Sequence, residues 1–323
     1  MRIFEEGNKD VMRLPSIRSS PGIWFVVATI FSMATAPAAP TKPVATAKTS
    51  AVARTKSAAP GSGGKHCLWR ITNAKAPVYL LGSIHSLRPS DYPLPPIIEG
   101  AIQQAQQFYF EYDPKRDDEL SSKLGGAARL PGNVEIKQKV NPKTYEYLKK
   151  ISRGGYNWTH LRAWAIAHYE LNYPVREHPI GAYGLDNYVE GKARALHRPM
   201  FGLETVDEHV AVFSGMSDIE SEVYLLEAIV FANQRDARFR QTVAAWKVGN
   251  TQQMFALEMP EIKDAPGLNS RFLDVRNARW IPVIEGAIKS GVPTIVVAGA
   301  MHFSGPKSVL GMLQARGYHI EQL

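Results

Sequence analysis

Two short apolar runs in this chain each lead into a glycine-x-x-histidine motif, and this repeated pattern constrains the fold most strongly. Residues 78–81 precede GSIH, which ends at His85, and residues 294–298 precede GAMH, which ends at His302. Short apolar runs of this kind are typical of buried strands, and glycine allows a sharp turn where a strand stops. Each histidine is therefore predicted to lie at the carboxyl edge of a sheet, where open α/β folds bind their ligands.

Charge and cysteine content exclude several classes of partner and site. The formal net charge is +8, but residues 1–65 hold nine Lys or Arg against three Asp or Glu, so the rest of the chain is nearly neutral. A nucleic-acid-binding domain normally has a basic face on the fold itself, so no nucleic-acid partner is predicted. The single cysteine, Cys67, excludes an intrachain disulfide and a cysteine-rich zinc site.

The first 66 residues are predicted to lie outside the folded domain and to contain an export signal followed by a linker. An apolar stretch at residues 22–33 follows Arg13 and Arg18 and precedes Ala-Thr-Ala, which is typical of a signal peptide, here residues 1–36. The stretch is short for a membrane span of about 20 residues, although an uncleaved signal anchor is the alternative and would be the only membrane contact. Residues 37–66 are predicted to be a disordered linker. The protein would then be periplasmic or secreted.

The remainder, residues 67–323, predicts one α/β domain with a small mixed, largely parallel sheet, GxxH motifs at strand ends and a large helical middle region. Residues 68–72 and 77–81 predict a hairpin. A strand–helix–strand unit ending in residues 108–112 predicts two parallel, adjacent strands. Further strands are predicted at 199–204 and 318–322. Periodicity predicts helices over 142–151, 162–172, 185–196, 219–246, 251–258, 270–290 and 306–316.

Four side chains at strand ends form the candidate site: His85, Glu111, Glu204 and His302. Imidazole and carboxylate groups together suit a divalent metal, and a carboxylate that is not a ligand is a candidate acid or base. Glu111 lies between aromatic residues and is alternatively a buried carboxylate paired with an arginine. A capping box formed by Thr205 and Glu208 is predicted to begin the helix after Glu204.

Several other polar residues have less specific interpretations. Arg276 either binds a substrate carboxylate, holds Glu111 in place or lies on a helix surface. Asp186 is expected to be a first-turn charge that is favourable to the helix dipole. Serine-hydrolase, zincin, dinucleotide-binding and P-loop motifs are all absent from the sequence.

The order of these motifs resembles that of the TraB/GumN family, which includes the Tiki proteins. The order is Trp69, YLLGSIH, FEYD, GLD at 184–186, GLET at 202–205, Arg276-Asn277 and VVAGAMHFSG at 296–305. The resemblance implies a metal-dependent hydrolase, because the Tiki branch is known as metalloproteases that use manganese or cobalt. It also implies functional roles for six residues: His85, Glu111, Glu204, Arg276, Asn277 and His302.

The sequence and the resemblance together predict an exported hydrolase that cleaves a peptide or a small-molecule amide. His85 and His302 would bind Mn, Co or Zn with Glu111 or Glu204 as third ligand, while the remaining carboxylate activates water. Arg276 and Asn277 would hold the substrate or stabilise the oxyanion. A metal-free hydrolase and a non-catalytic protein that binds a metal, haem or small ligand are the alternatives. Two departures from the family pattern are His209, where Gln is common, and Phe303, where Leu is common.

Overall fold

A computed structural model describes residues 64–85, 87–151, 158–168, 183–231, 234–258, 265, 267–305 and 307–323. The predicted signal peptide and residues 37–63 of the predicted linker lie outside these residues. The last linker residues are described, and the backbone N–H of His66 donates to the carbonyl of Leu323 at 2.6 Å. No helix in the described ranges combines the length and the apolar character that crossing a bilayer requires.

The fold is an α/β arrangement around one six-stranded mixed sheet, as predicted. Its strands are β1 (Leu68–Ile71), β2 (Val78–Ser83), β3 (Gln107–Phe110), β4 (Met200–Gly202), β5 (Thr294–Gly299) and β6 (Ile320–Gln322). The order across the sheet is β4-β3-β5-β2-β1-β6. Strands β2, β5, β3 and β4 are parallel, whereas β1 is antiparallel to both β2 and β6. The predicted hairpin between β1 and β2 is confirmed.

The prediction that β2 and β3 are neighbours is wrong, although they are parallel. Strand β5 lies between them and pairs with both. Its first five residues are fully buried, which is typical of a central parallel strand covered on both faces. The crossover through α1 therefore spans two strand spacings, about 10 Å, instead of one.

Helices follow the strands and fill the middle of the chain. They are α1 (Pro96–Gln104), α2 (Asp117–Ala127), α3 (Pro142–Ile151), α4 (Ala163–Ala165), α5 (Leu185–Ala195), α6 (Val206–Ser214), α7 (Asp218–Phe231), α8 (Arg235–Lys247), α9 (Thr251–Glu258), α10 (Gly267–Asn269), α11 (Val275–Lys289) and α12 (Val309–Gln314). The predicted helix at 219–246 is two helices, α7 and α8. Helix α2 was not predicted, only the start of α6 was, and the later part of the predicted helix at 162–172 lies outside the described residues.

Two groups of apolar contacts lie on either side of the candidate site. The main core surrounds the sheet and includes Phe108, Trp280 and Val296. A second group joins α4, α6 and α10 through residues such as Trp164 and Phe213, with Phe272 packed against it. Phe272 belongs to a π-helical turn, Ser270–Asp274, that leads directly into α11. Such turns are frequent at functional sites, and a single residue separates this one from Arg276.

Gly202 at the end of β4 is a position where only glycine fits. A Cβ atom there would lie 2.6 Å from the backbone nitrogen of Asp113 and 2.8 Å from the carbonyl oxygen of Glu204. We expect Gly202→Ala to lower the free energy of unfolding by about 1–3 kcal/mol because backbone must shift. The control is Gly100→Ala in α1, where nothing lies within 4 Å, so helix propensity should raise stability by up to about 1 kcal/mol. Urea denaturation of both variants measures this, and equal stabilities would contradict it.

Candidate functional site

The two GxxH motifs leave neighbouring parallel strands at one edge of the sheet. Gly82 pairs in register with Ala298, and Ser83 pairs with Gly299. A Cβ atom on Gly82 would lie 3.1 Å from Ala300, so the first motif packs directly against the second. The absence of a side chain on Gly299 similarly leaves room for a carboxylate, since a Cβ there would lie 3.3 Å from Oε1 of Glu111. The glycines thus permit the close approach of the two turns.

Arg276 is the centre of a buried polar group that we call the Arg276 cluster, formed by Glu111, Glu204, Arg276 and His302. Its Nη2 donates to Oε2 of Glu111 at 2.6 Å, and its Nε donates to Oε2 of Glu204 at 3.0 Å. Its Nη2 also contacts Glu204, and its Nη1 lies 3.3 Å from Nε2 of His302. Arg276 therefore holds Glu111 in place, as one interpretation of the sequence proposed, and it does not lie on a helix surface.

The tryptophan one turn further along α11 completes the enclosure of Glu204. The indole nitrogen of Trp280 donates to Oε2 of Glu204 at 3.0 Å, and its ring lies under the Arg276 guanidinium at 4.7 Å. Only 2% of the Glu204 side chain is exposed, compared with 16% for Glu111. Glu204 is thus enclosed by protein donors, whereas Glu111 keeps some access to solvent.

Electrostatics in the cluster keep both carboxylates ionised. Burial would raise the pKa of Glu111, but the Arg276 guanidinium outweighs it and holds that pKa well below its usual range. For Glu204, burial is outweighed by hydrogen bonds from His209 and Arg276, so its pKa is also lowered. Burial opposes the charge of Arg276 as well, yet the two carboxylates raise its pKa. One positive arginine therefore lies between two negative carboxylates, and these three side chains together carry a net negative charge.

His302 is buried and is oriented by an amide. Its Nδ1 lies 2.6 Å from Oδ1 of Asn277, whose side-chain nitrogen donates to the carbonyl of Lys307 at 2.9 Å. Because the amide nitrogen is used in that bond, the amide oxygen faces the ring and Nδ1 carries the hydrogen. Burial lowers the pKa of His302 to about 3. The ring is consequently neutral at neutral pH, with its lone pair on Nε2.

His85 is held by a carboxylate instead. Its Nδ1 lies 3.0 Å from Oδ2 of Asp186, and 60% of its side chain remains exposed. Desolvation would lower the pKa of His85, but the Asp186 carboxylate raises it to about 9. His85 contacts Asp186 directly, and the charges of Glu111 and Arg276 also act on it.

A third histidine, His209 on α6, also borders the cluster. Its Nδ1 lies 2.7 Å from Oε1 of Glu204, and its ring meets Tyr112 edge to face at 5.1 Å. Ligand atoms of Glu111, Glu204 and His209 lie within 4.8 Å of one another. However, Nη2 of Arg276 bonds to both carboxylates and lies 3.4 Å from Nδ1 of His209. The guanidinium already supplies the positive charge between these three groups.

The structure therefore brings most of the predicted site residues into direct contact. Glu111, Glu204, Arg276, Asn277 and His302 form one hydrogen-bonded group. The predicted capping box of Thr205 and Glu208 is confirmed at the start of α6. The roles of Asp186 and Trp280 were not predicted. For Asp186 a signal existed, because the GLD sequence that contains it is one of the motifs that carry the family resemblance.

The donor types at the sheet edge are those that a divalent metal binds, although among the described residues the ligand atoms that lie within 4.8 Å of one another belong to Glu111, Glu204 and His209, not to His85 or His302. Nδ1 of His85 and of His302 each contacts an oxygen, so Nε2 is the nitrogen of each ring that would bind a metal. At His302, Nη1 of Arg276 lies 3.3 Å from that nitrogen and would have to move aside. Oε1 of Glu111 lies 3.8 Å from Nε2 of His302, and it accepts the backbone N–H of Gly299 at 2.8 Å. Two imidazoles and an ionised carboxylate are a common ligand set of catalytic zinc sites.

Fold and site together define an α/β protein with a polar centre where GxxH turns leave adjacent parallel strands. A profile of the TraB/PrgY/gumN family matches residues 67–322. The chain belongs to the TraB/PrgY/gumN family, as the order of its motifs predicted. Searches of curated proteins and of solved structures found no match to this chain.

Proposed function

We propose that this protein is an exported metal-dependent hydrolase that cleaves peptide or related amide bonds. The observation that carries the proposal is the shared arrangement of the two GxxH histidines. Each leaves the same edge of the sheet, and each has Nδ1 against an oxygen, so that Nε2 is the nitrogen that would bind a metal. Export is supported by the signal-like sequence of residues 1–36.

His85, His302 and Glu111 are the residues that would hold the metal, which we expect to be Mn, Co or Zn. A divalent metal bound there lowers the pKa of a bound water and polarises the carbonyl of the substrate. Glu111 suits the third position because Arg276 keeps it ionised and because it retains some access to solvent. Glu204 is already enclosed by donors from Arg276, Trp280 and His209, so we assign it the role of holding Arg276.

The neighbouring residues position these groups and balance their charge. Asn277 orients His302, since its amide is engaged with both the ring and the Lys307 carbonyl. Arg276 places a buried positive charge beside the reaction centre, where preorganised charge stabilises a developing oxyanion. Trp280, which is fully buried, stacks at 4.3 Å on the ring of His302 and excludes water from that side.

Elemental analysis of the purified full-length protein, with His85→Ala and His302→Ala, tests the proposal. We expect metal to copurify or bind on addition to the wild type and both variants to lose it, because each removes a nitrogen ligand. His319→Ala, an exposed histidine on the far edge of the sheet, is the control and should bind metal normally. Unchanged metal content in both site variants would contradict the proposal.

Peptide-cleavage screening with and without a chelator separates catalysis from simple binding. Hydrolysis that disappears on chelation and returns with Mn, Co or Zn supports the hydrolase.

A non-catalytic metal, haem or small-ligand binder is the second candidate, and the enclosure of Glu204 favours it because that carboxylate is not available to activate water. Bound metal without cleavage of any peptide would support the binder. Cleavage that survives chelation would support a metal-free hydrolase.

A further inference from the structure

The first turn of α5 is attached to the first GxxH motif by backbone contacts. The N–H of Leu185 donates to the carbonyl of Ile84 at 3.0 Å, and the N–H of Leu87 donates to the carbonyl of Tyr183 at 3.1 Å. Gly184 begins the helix, and a Cβ atom there would lie 2.7 Å from the carbonyl oxygen of His85. The turn that carries His85 and the start of α5 therefore form one unit in which only glycine fits at position 184.

This attachment places Asp186 beside the His85 ring. Asp186 lies in the first turn of α5, and its Oδ2 lies 3.0 Å from Nδ1 of His85. A favourable interaction with the helix dipole would account for an acidic residue in this turn, but it would not account for a carboxylate directed at one ring nitrogen. A carboxylate only accepts hydrogen bonds, so Nδ1 must carry a hydrogen, and a metal would bind Nε2 in place of the second proton.

The second GxxH histidine shows the same arrangement with a different partner. Oδ1 of Asn277 lies 2.6 Å from Nδ1 of His302, and the Lys307 carbonyl fixes the orientation of that amide. Both rings thus use the same nitrogen, Nδ1, for their protein partner. The partner of His302 is a neutral amide, whereas the partner of His85 is a carboxylate. A carboxylate behind a metal-binding imidazole fixes its tautomer and makes it a stronger donor.

We propose that Asp186 is a positioning residue for His85, which it orients through Nδ1 and strengthens as a metal-binding nitrogen. This inference rests on the proposed function, because it requires metal binding at the GxxH histidines. It adds a residue outside the ligand set and assigns its effect to metal affinity rather than to folding. Asp186 and Asn277 are then corresponding partners of the two histidines.

The test is a competition titration of the full-length protein with Zn²⁺ or Co²⁺ against a chromophoric chelator. Asp186→Asn keeps the shape but removes the charge, and its amide can present a donor that reverses the tautomer of His85. We expect metal affinity to fall about 10- to 100-fold in this variant. Asp186→Ala, which removes the acceptor as well, should bind metal at least as weakly. The absorption spectrum of bound Co²⁺ should also change in Asp186→Asn.

Asp218→Asn is the matched control, because Asp218 is also a first-turn carboxylate, forms an exposed ion pair with Lys139 at 3.0 Å and contacts neither histidine. It should bind metal like the wild type. The melting temperature of each metal-free variant shows whether a loss of affinity reflects unfolding, and a folded Asp186 variant with weak affinity supports the inference. Wild-type affinity in both Asp186 variants would overturn this inference alone. A wild-type protein that binds no metal would overturn the proposed function as well.

Discussion

Replacing Arg276 with methionine is expected to lower the free energy of unfolding by about 3–5 kcal/mol, as removal of one partner of a buried ion pair does. Methionine keeps much of the apolar stem but removes the guanidinium that bonds to Glu111 and Glu204. Two buried carboxylates would then lie close together without a cation between them. Urea denaturation of the metal-free protein at neutral pH measures this loss.

The pH dependence of stability should reverse in the same variant. In the wild type the pKa values of Glu111 and Glu204 lie below the ordinary value of 4.5. Their contribution to stability is therefore present above pH 4.5 and is lost as pH falls through their lowered pKa values. Without Arg276, we expect burial and the repulsion between the two carboxylates to outweigh the remaining hydrogen bonds from His209, Trp280 and Gly299, so that both pKa values rise above the ordinary value. The variant should then lose stability as pH rises above 4.5.

An exposed ion pair between an arginine and a glutamate provides the control for this experiment. Arg70 and Glu321 form an ion pair at 2.8 Å with about half of each side chain exposed, so Arg70→Met should cost at most about 1 kcal/mol. Adding Glu204→Gln to Arg276→Met should recover part of the lost stability, because it removes one of the two uncompensated charges. If Arg276→Met were as stable as Arg70→Met, the cluster would not depend on a buried charge balance.

The strands of this fold were predictable because their signal is local. The runs that became β2 and β5 are apolar along their length and end at glycine, which is sufficient to identify buried strands and the edge that their histidines reach. The order of the sheet was not predictable in the same way. Periodicity describes the environment of a strand but does not identify its neighbour, so the insertion of β5 between β2 and β3 depends on contacts far apart in sequence.

The site was predictable where its residues follow strands and less so where they lie on helices. Glu111, Glu204 and His302 were expected together because parallel strands end at one edge. Arg276 had three interpretations, since helical periodicity does not show whether an arginine on α11 faces solvent. Its burial depends on the preceding π-helical turn, whose Phe272 carbonyl accepts from Nη1 at 3.4 Å, and on Trp280 beneath it. The contact of Asp186 with His85 similarly depends on how α5 docks.

In Glu111→Gln, the proposed hydrolysis should fall about 10²- to 10³-fold. This is the range observed when one preorganised polar group is removed from an active site. The amide keeps an oxygen for the Gly299 N–H, but it places a neutral group beside Nε2 of His302, where the carboxylate now lies at 3.8 Å. Metal affinity should fall with the rate, because the proposed third ligand loses its charge. Glu204 remains to hold Arg276, so the variant should stay folded.

Three measurements on the same preparations separate the role of Glu111 from a general loss of structure: the hydrolysis rate, the metal content and the melting temperature. Glu146→Gln is the control, since Glu146 is more than half exposed and pairs with Lys149 on the surface of α3. It should leave all three unchanged. A Glu111→Gln protein that keeps wild-type hydrolysis would exclude Glu111 from the reaction centre. A slow variant with full metal affinity would instead assign Glu111 to proton transfer, because only the rate would then depend on its charge.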